Sequence, residues 1–360
     1  MNSIKNSIKN CRFLWCILLF LGLSINAASA NEHNSEEGGV NITEIVFGHI
    51  NDDYNWHVCT INDKHINIPL LCIVKGQNGW DVFCASKLHE GGYKGYKQSE
   101  EGQYAGKIVE VVDGKEVRPL DLSITKNVFT LFLVAAIMLV LFLGIAKKYK
   151  KDYLATPSGA QALLEPIILT VEEDITKACI GKNYKRYSPY ILTVFFFILI
   201  TNLIGIIPIF PGGANVTGNI AITFVLAFIT FLFTNFTTNG HYWKEIFNPA
   251  VPMGLKCPIP IMQFIEFLGV FTKPIALMVR LFANMLSGHI MQLILVGLIF
   301  IMGSLFGAVT AYGVSVISIL LAVFMDCLEV LVCLIQAYVF SMLSALFIGM
   351  AQERPEHEHA

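Results

Sequence analysis

The chain has 360 residues, of which 54% are hydrophobic and only 14% charged, and its mean hydropathy is +0.60. That balance excludes an ordinary soluble globular protein and implies integration into a membrane. A net charge of -2, with no basic stripe carrying interleaved aromatics, leaves no electrostatic footprint for nucleic acid.

Residues 1-30 read as a cleaved secretory signal: Lys5, Lys9 and Arg12, an apolar core from Phe13 to Leu23, then Ala28-Ser29-Ala30. The mature chain is then expected to begin at Asn31 on the exported side. Residues 31-125 form a polar exported region, multiply interrupted by turn signals. His65 to Val74 and Trp80 to Ala85 flank Lys75-Gly-Gln-Asn-Gly79, and Lys107 to Val112 and Lys115 to Pro119 flank Asp113-Gly114, the pattern of small β-hairpins. His49, His57, His65 and His89 have no tight ligand spacing, so no metal is expected there. Cys59, Cys72 and Cys84 lie where oxidation is permitted; one disulfide and one spare thiol can form, and spacing selects no pairing. Cys179, Cys257, Cys327 and Cys333 fit no metal site and are expected to pack as small apolar groups.

Asn127 to Ala146 is a charge-free run of spanning length, closed by Lys147-Lys148-Tyr149-Lys150-Lys151, which assigns that end to the cytoplasm. Ala160 to Ile180 alternates Glu165, Glu172, Glu173, Asp174 and Lys177 with apolar residues, as an amphipathic helix along the cytoplasmic membrane surface would. Further spans are expected from about Pro189 to Pro208 and Asn219 to Thr237. The connection Ile209 to Gly218 between them has no Lys or Arg. Two apolar blocks follow, Phe264 to Met302 and Val314 to Met350, joined by a turn near Gly303 to Gly313. The predicted fold class is therefore an all-α polytopic membrane protein with about five crossings over residues 126-351, plus β-hairpins in the exported region. Residues 352-360 become a cytoplasmic tail. As continuous helix, each of the last two blocks exceeds about 50 Å, against a hydrocarbon layer of about 30 Å. They must form a strongly tilted, broken or curved hairpin.

Within the first of these blocks stands Arg280, a permanent cation whose burial at bilayer depth costs between about 2.5 and 17 kcal/mol. At 100° per residue, Glu266, Lys273, Asn284 and Ser287 share its stripe, while His289 points to the opposite side. In the second block Asp326, Glu329, Cys333 and Gln336 form another stripe, so facing helices would bring His289 and Glu329 into one crevice. Carboxylates and imidazoles exchange protons near neutral pH and arginine does not, which fits two polar half-paths separated by a fixed positive charge. A buried ion-pair network that only fixes helix register is the structural alternative.

Lys273-Pro274, Arg280-Leu-Phe-Ala-Asn284-Met, Leu334-Ile-Gln336-Ala-Tyr-Val-Phe340 and Thr201-Asn202-Leu-Ile-Gly-Ile-Ile-Pro208 occur in that family's pattern, and together the chain resembles subunit a of the F-type ATP synthase membrane sector. The resemblance covers about residues 160 to 350. It implies that Arg280 faces the carboxylates of a rotating c-ring, that Asn284, His289, Glu329 and Gln336 line an inlet half-channel, and that Glu266 and Lys273 lie near a cytoplasmic outlet. Asn202 and Asp326 are weaker members of the same set. It further implies a complex with the c-ring and peripheral-stalk subunit b in a bacterial inner membrane, with the mature N-terminus periplasmic. It implies no cofactor and no catalysis by this chain itself, which also lacks a G-x-x-x-x-G-K-[ST] phosphate loop. Many bacterial members carry an acid where His289 stands and a histidine where Glu329 stands, so this chain has the exchanged arrangement. The rival function is a secondary transporter with an exported solute-binding region; that would call for internal repeats with interrupted helices at matching positions, and none is visible.

Overall fold

A computed structural model describes residues 52-61, 64-77, 79-89, 92-99, 104, 106-112, 115-151, 159-207, 212-238, 240-247 and 261-352. The expected signal segment 1-30 and the tail beyond Gln352 lie outside them. The described chain divides into two units, one built mainly from residues 52-129 and the other from 130-206 with 215-352.

In the first unit, β1 (Asn55–Ile61) pairs antiparallel with β2 (Lys64–Pro69). The hairpin β3 (Leu71–Gly76) and β4 (Gly79–Cys84) forms as its turn residues predict, and β8 (Leu120–Asp121) adds to β3 to give the order β4-β3-β8. Between them come α1 (Ser86–His89) and a second three-stranded sheet, β5 (Tyr96–Gln98), β6 (Ile108–Val112) and β7 (Lys115–Val117), in which the expected antiparallel pairing of β6 with β7 is present. One expectation changes: His65 to Val74 is two strands. Pro69 has no N–H to continue a ladder, and at Leu70 the backbone passes from one ladder to the next, still donating to the Tyr54 carbonyl beside β1 at 3.2 Å while accepting from Ala85 beside β4 at 3.0 Å.

The core of this unit is Tyr54, Cys72, Val74, Phe83, Ala85, Leu88, Tyr96 and Ile108, with Phe83 and Tyr96 stacked at 5.8 Å. The Tyr54 hydroxyl donates to Asp121, and burial first, then that carboxylate, pushes the phenol well above its usual range. Strand alternation decides the cysteine question in part. Cys72 pairs with Phe83 on the buried face and Cys84 with Leu71 on the exposed face, so their side chains point to opposite sides and both thiols are free. The Cys59 side chain lies outside the described residues.

The first helical turn that follows is tied to these strands. Lys126 N–H donates to the Asp53 carbonyl at 3.1 Å, Asn127 N–H to Asp52 Oδ1 at 3.2 Å, and Trp56 meets Phe129 edge-on at 5.6 Å.

The second unit is helical: α2 (Lys126–Lys151), α3 (Ala160–Thr170), a π-helical stretch (Val171–Lys177), α4 (Ala178–Ile180), a 3₁₀ turn (Gly181–Asn183), α5 (Tyr184–Ile206), α6 (Ile220–Phe236), α7 (Gly240–Phe247), α8 (Ile261–Phe306) and α9 (Ala308–Gln352). The amphipathic segment is helical as expected, with Val171, Ile175 and Thr176 buried and Glu173, Asp174 and Lys177 exposed. Its π-helical register was not legible; Thr176 Oγ1 donates to the Val171 carbonyl five residues back. Among the described residues four helical stretches are long and apolar enough to cross a membrane: Lys126–Lys150, Gln161–Ile206, Gln263–Phe306 and Val309–Gln352. Shorter and also apolar, α6 starts where Asn219 caps it, its side chain accepting from Ala221 N–H at 3.0 Å. These helices make an all-α polytopic membrane protein, with small β-hairpins confined to the N-terminal region.

The last two helices are longer than their apolar blocks. They meet at Gly307 alone, with φ +85°, because Gly303 and Gly313 are absorbed into helix. At 46 residues α8 is about 69 Å long. Leu277, Leu281 and Met285 of α8 share one core with Cys333, Ala337 and Phe340 of α9, which in turn packs on α5 with its Ile191, Phe195 and Ile198. Where α9 approaches α4, a side chain at Gly349 would stand 2.0 Å from the Cys179 carbonyl oxygen, so only glycine fits. Small residues in such places let helices pack by close contact where lipid supplies no hydrophobic drive.

Candidate functional site

The hairpin α8-α9 sets the site. Successive turns of α8 bury Leu277, Leu281 and Met285, while Ala276, Arg280, Ala283 and Ser287 are exposed away from that stripe and Asn284 is exposed at its edge. Among the described residues no carboxylate pairs with Arg280. Glu266 is exposed on the same helix, and Lys273 is half-buried with Nζ 5.7 Å from the Phe347 ring centroid.

The polar stripe of α9 is buried rather than open. Glu329, Cys333 and Gln336 all face inward, and Cys333 Sγ lies 4.0 Å from Met285 Sδ, which places the stripe against α8. Two cross-helix contacts result. Asn284 Nδ2 donates to Gln336 Oε1 at 3.0 Å, and His289 Nε2 stands 3.8 Å from Glu329 Oε1. The convergence of His289 and Glu329 expected from helical periodicity is therefore present. Asp326 sits half-buried one turn before Glu329, its Oδ1 buried and without a hydrogen-bond partner among the described residues.

Gly288 has a role that the sequence reading missed. A Cβ there would lie 2.9 Å from Glu329 Oε1, so the glycine makes room for that carboxylate. A lone glycine in an apolar helix, next to a histidine, was the available signal. A second omission surrounds Lys273: a cavity of about 20 Å³, room for one water, lined in part by Thr234, Asn235, Tyr242 and Lys273. Burial, and then the Glu266 carboxylate, hold the Tyr242 phenol above its usual range. Asn202 belongs elsewhere. It is buried on α5 and accepts from Thr217 Oγ1 at 2.6 Å, while Asn215 Oδ1 accepts from Gly218 N–H in the turn before α6. Among the described residues no cluster of His, Cys, Asp and Glu could hold a metal ion.

This arrangement of an exposed arginine and a titratable pair on a long helical hairpin is found in a chain whose residues 128–349 match the family model of the ATP synthase A chain. The chain belongs to that family. Relatives named ATP synthase subunit a agree: one from Chloroherpeton thalassium is 40% identical over 248 residues, covering 67% of this chain and 70% of its own length. Another from Chlorobium phaeobacteroides is 41% identical over 239 residues, covering 66% and 67%, and one from Myxococcus xanthus is 42% identical over 245 residues, covering 66% and 76%. The family region begins where the strand unit ends. Residues 45–124 match a separate model described only as a domain of unknown function.

Proposed function

We propose that this chain is the stator subunit of a rotary ATP synthase membrane sector, carrying protons to and from a ring of carboxylates through two half-channels. The observation that carries the proposal is Arg280, exposed and without a carboxylate partner among the described residues, on a face of small residues, with half-buried His289 and buried Glu329 paired farther along the same hairpin. Ala276, Ala283 and Ser287 around it would let another helix approach closely, and a carboxylate on that helix would satisfy the guanidinium. The partner is thus a c-ring carboxylate, and subunit b of the peripheral stalk holds the chain against rotation.

In this account a proton enters by way of His289 and Glu329, one base and one acid within 3.8 Å, and neutralises a ring carboxylate, which can then turn through lipid. After most of a rotation that carboxylate meets the outlet lined by Lys273 and Glu266 and ionises as it nears Arg280. The guanidinium cannot pass a proton on, so it blocks a direct leak between the paths. Asn284 and Gln336 hold the two helices in register at the level of the inlet. Each charge moved through 100 mV supplies about 2.3 kcal/mol, and this drives synthesis elsewhere in the complex, since the chain itself catalyses nothing. The assigned organisation is a signal at 1-30, a periplasmic region at 31-125, the channel domain at 126-351 and a cytoplasmic tail at 352-360, in a bacterial inner membrane.

The test is ATP-driven proton uptake by vesicles containing the assembled complex. Glu329→Gln and His289→Ala should each lower uptake roughly tenfold or more, with the complex still assembled. Uptake unchanged in both variants would contradict the inlet assignment.

A further inference from the structure

We propose that the outer face of the β4-β3-β8 sheet is a membrane-docking surface, seated at the headgroup boundary of the lipid bilayer. The registers fix which side chains share that face. Lys75 stands between Trp80 and Leu120, Ile73 beside Val82, and Leu71 beside Cys84. Trp80, Val82 and Leu120 are each more than half exposed, as is Leu122 just beyond β8. Soluble surfaces seldom leave so contiguous an apolar patch uncovered.

Charge favours lipid as the occupant. The strands bear two aspartates, and both turn to the other side: Asp121 accepts from the Tyr54 hydroxyl, and Asp81 accepts from Lys94 Nζ at 2.7 Å. The outer face has one charge, Lys75, whose Nζ lies 5.7 Å from the Trp80 ring centroid. An exposed tryptophan with an adjacent lysine amid aliphatic residues matches the chemistry of the bilayer boundary, where the indole lies at headgroup level and the ammonium meets phosphate.

Chain continuity supports the same occupant. Strand pairing runs on past β8, with Leu122 N–H donating to the Ile73 carbonyl and Ile124 N–H to the Leu71 carbonyl, both at 2.9 Å. Lys126 then begins α2, a helix long and apolar enough to cross the membrane. The exposed face therefore ends within a few residues of a membrane segment. The inference needs only that α2 spans the bilayer, and it is independent of the proton path.

Reconstitution of the full chain in its complex, into vesicles of phosphatidylethanolamine and phosphatidylglycerol with brominated acyl chains, tests it. The emission of Trp80 is taken as the difference between the native chain and Trp80→Phe. The expected result is loss of that difference signal in brominated vesicles, with no quenching by aqueous iodide. Quenching by iodide alone would overturn the proposal by showing a face open to water. Quenching by neither would overturn it in favour of a protein cover. A benzophenone side chain introduced at position 82 gives an independent readout: capture of lipid is expected, and capture of a subunit or a second copy contradicts the proposal.

Discussion

At Cys72 and Cys84, one residue of difference in strand position sets opposite chemistry. Burial pushes the Cys72 thiol up to about 11, whereas Cys84 is exposed. At pH 8 only about one Cys72 in a thousand is thiolate, by the ratio that such a pKa implies. Iodoacetamide, a small neutral reagent that enters the headgroup region, should therefore modify Cys84 in the folded chain and leave Cys72 intact, as peptide mapping by mass spectrometry would show; equal labelling would contradict the placement of β3. The placement of polar residues in the hairpin was more legible. Arg280, His289, Glu329, Asn284 and Gln336 stood out because a polar group in an apolar helix is costly, and helical periodicity alone brought His289 towards Glu329. Gly288 and the residues around Lys273 were not legible, since their contribution is space, and space depends on which helix packs opposite.

For elements, hydropathy located the apolar helices but not their ends. The hairpin turn shrank from Gly303 to Gly313 to the single residue Gly307, because a glycine within a helix costs only about 1 kcal/mol and tertiary packing offsets that. The break falls at the one glycine there with positive φ. Gly307→Ala should cost about 1 to 2 kcal/mol, lowering the melting temperature of the purified complex. Gly349→Ala should cost about 1 to 3 kcal/mol through its clash with the Cys179 carbonyl. Gly144→Ala is the control: nothing lies within 4 Å of its added methyl group, and the melting temperature should hold or rise slightly. If Gly349→Ala behaved like Gly144→Ala, the packing of α9 against α4 would be wrong. The division of His65 to Val74 into β2 and β3 had a local cause in Pro69, but the switch at Leu70 depends on Tyr54 before β1 and Ala85 after β4, which no short window contains together.

Over the whole molecule, composition sufficed for the membrane class, and the order of motifs sufficed for the family. The N-terminal strand region did not yield a function in the same way. Its strands are short, and the face that they present emerges only when β8 pairs with β3 across more than forty intervening residues. What unites the molecule is a contrast between two exposed surfaces: an apolar sheet face with one lysine, and a helix face with one arginine among small residues. The first is complete once it meets lipid. In the proposed function the second is completed by a carboxylate from another chain. ATP-driven proton pumping by vesicles containing the Arg280→Ala complex measures this directly. Loss of pumping with the complex still assembled is the predicted result; coupled pumping at the native rate would contradict the account.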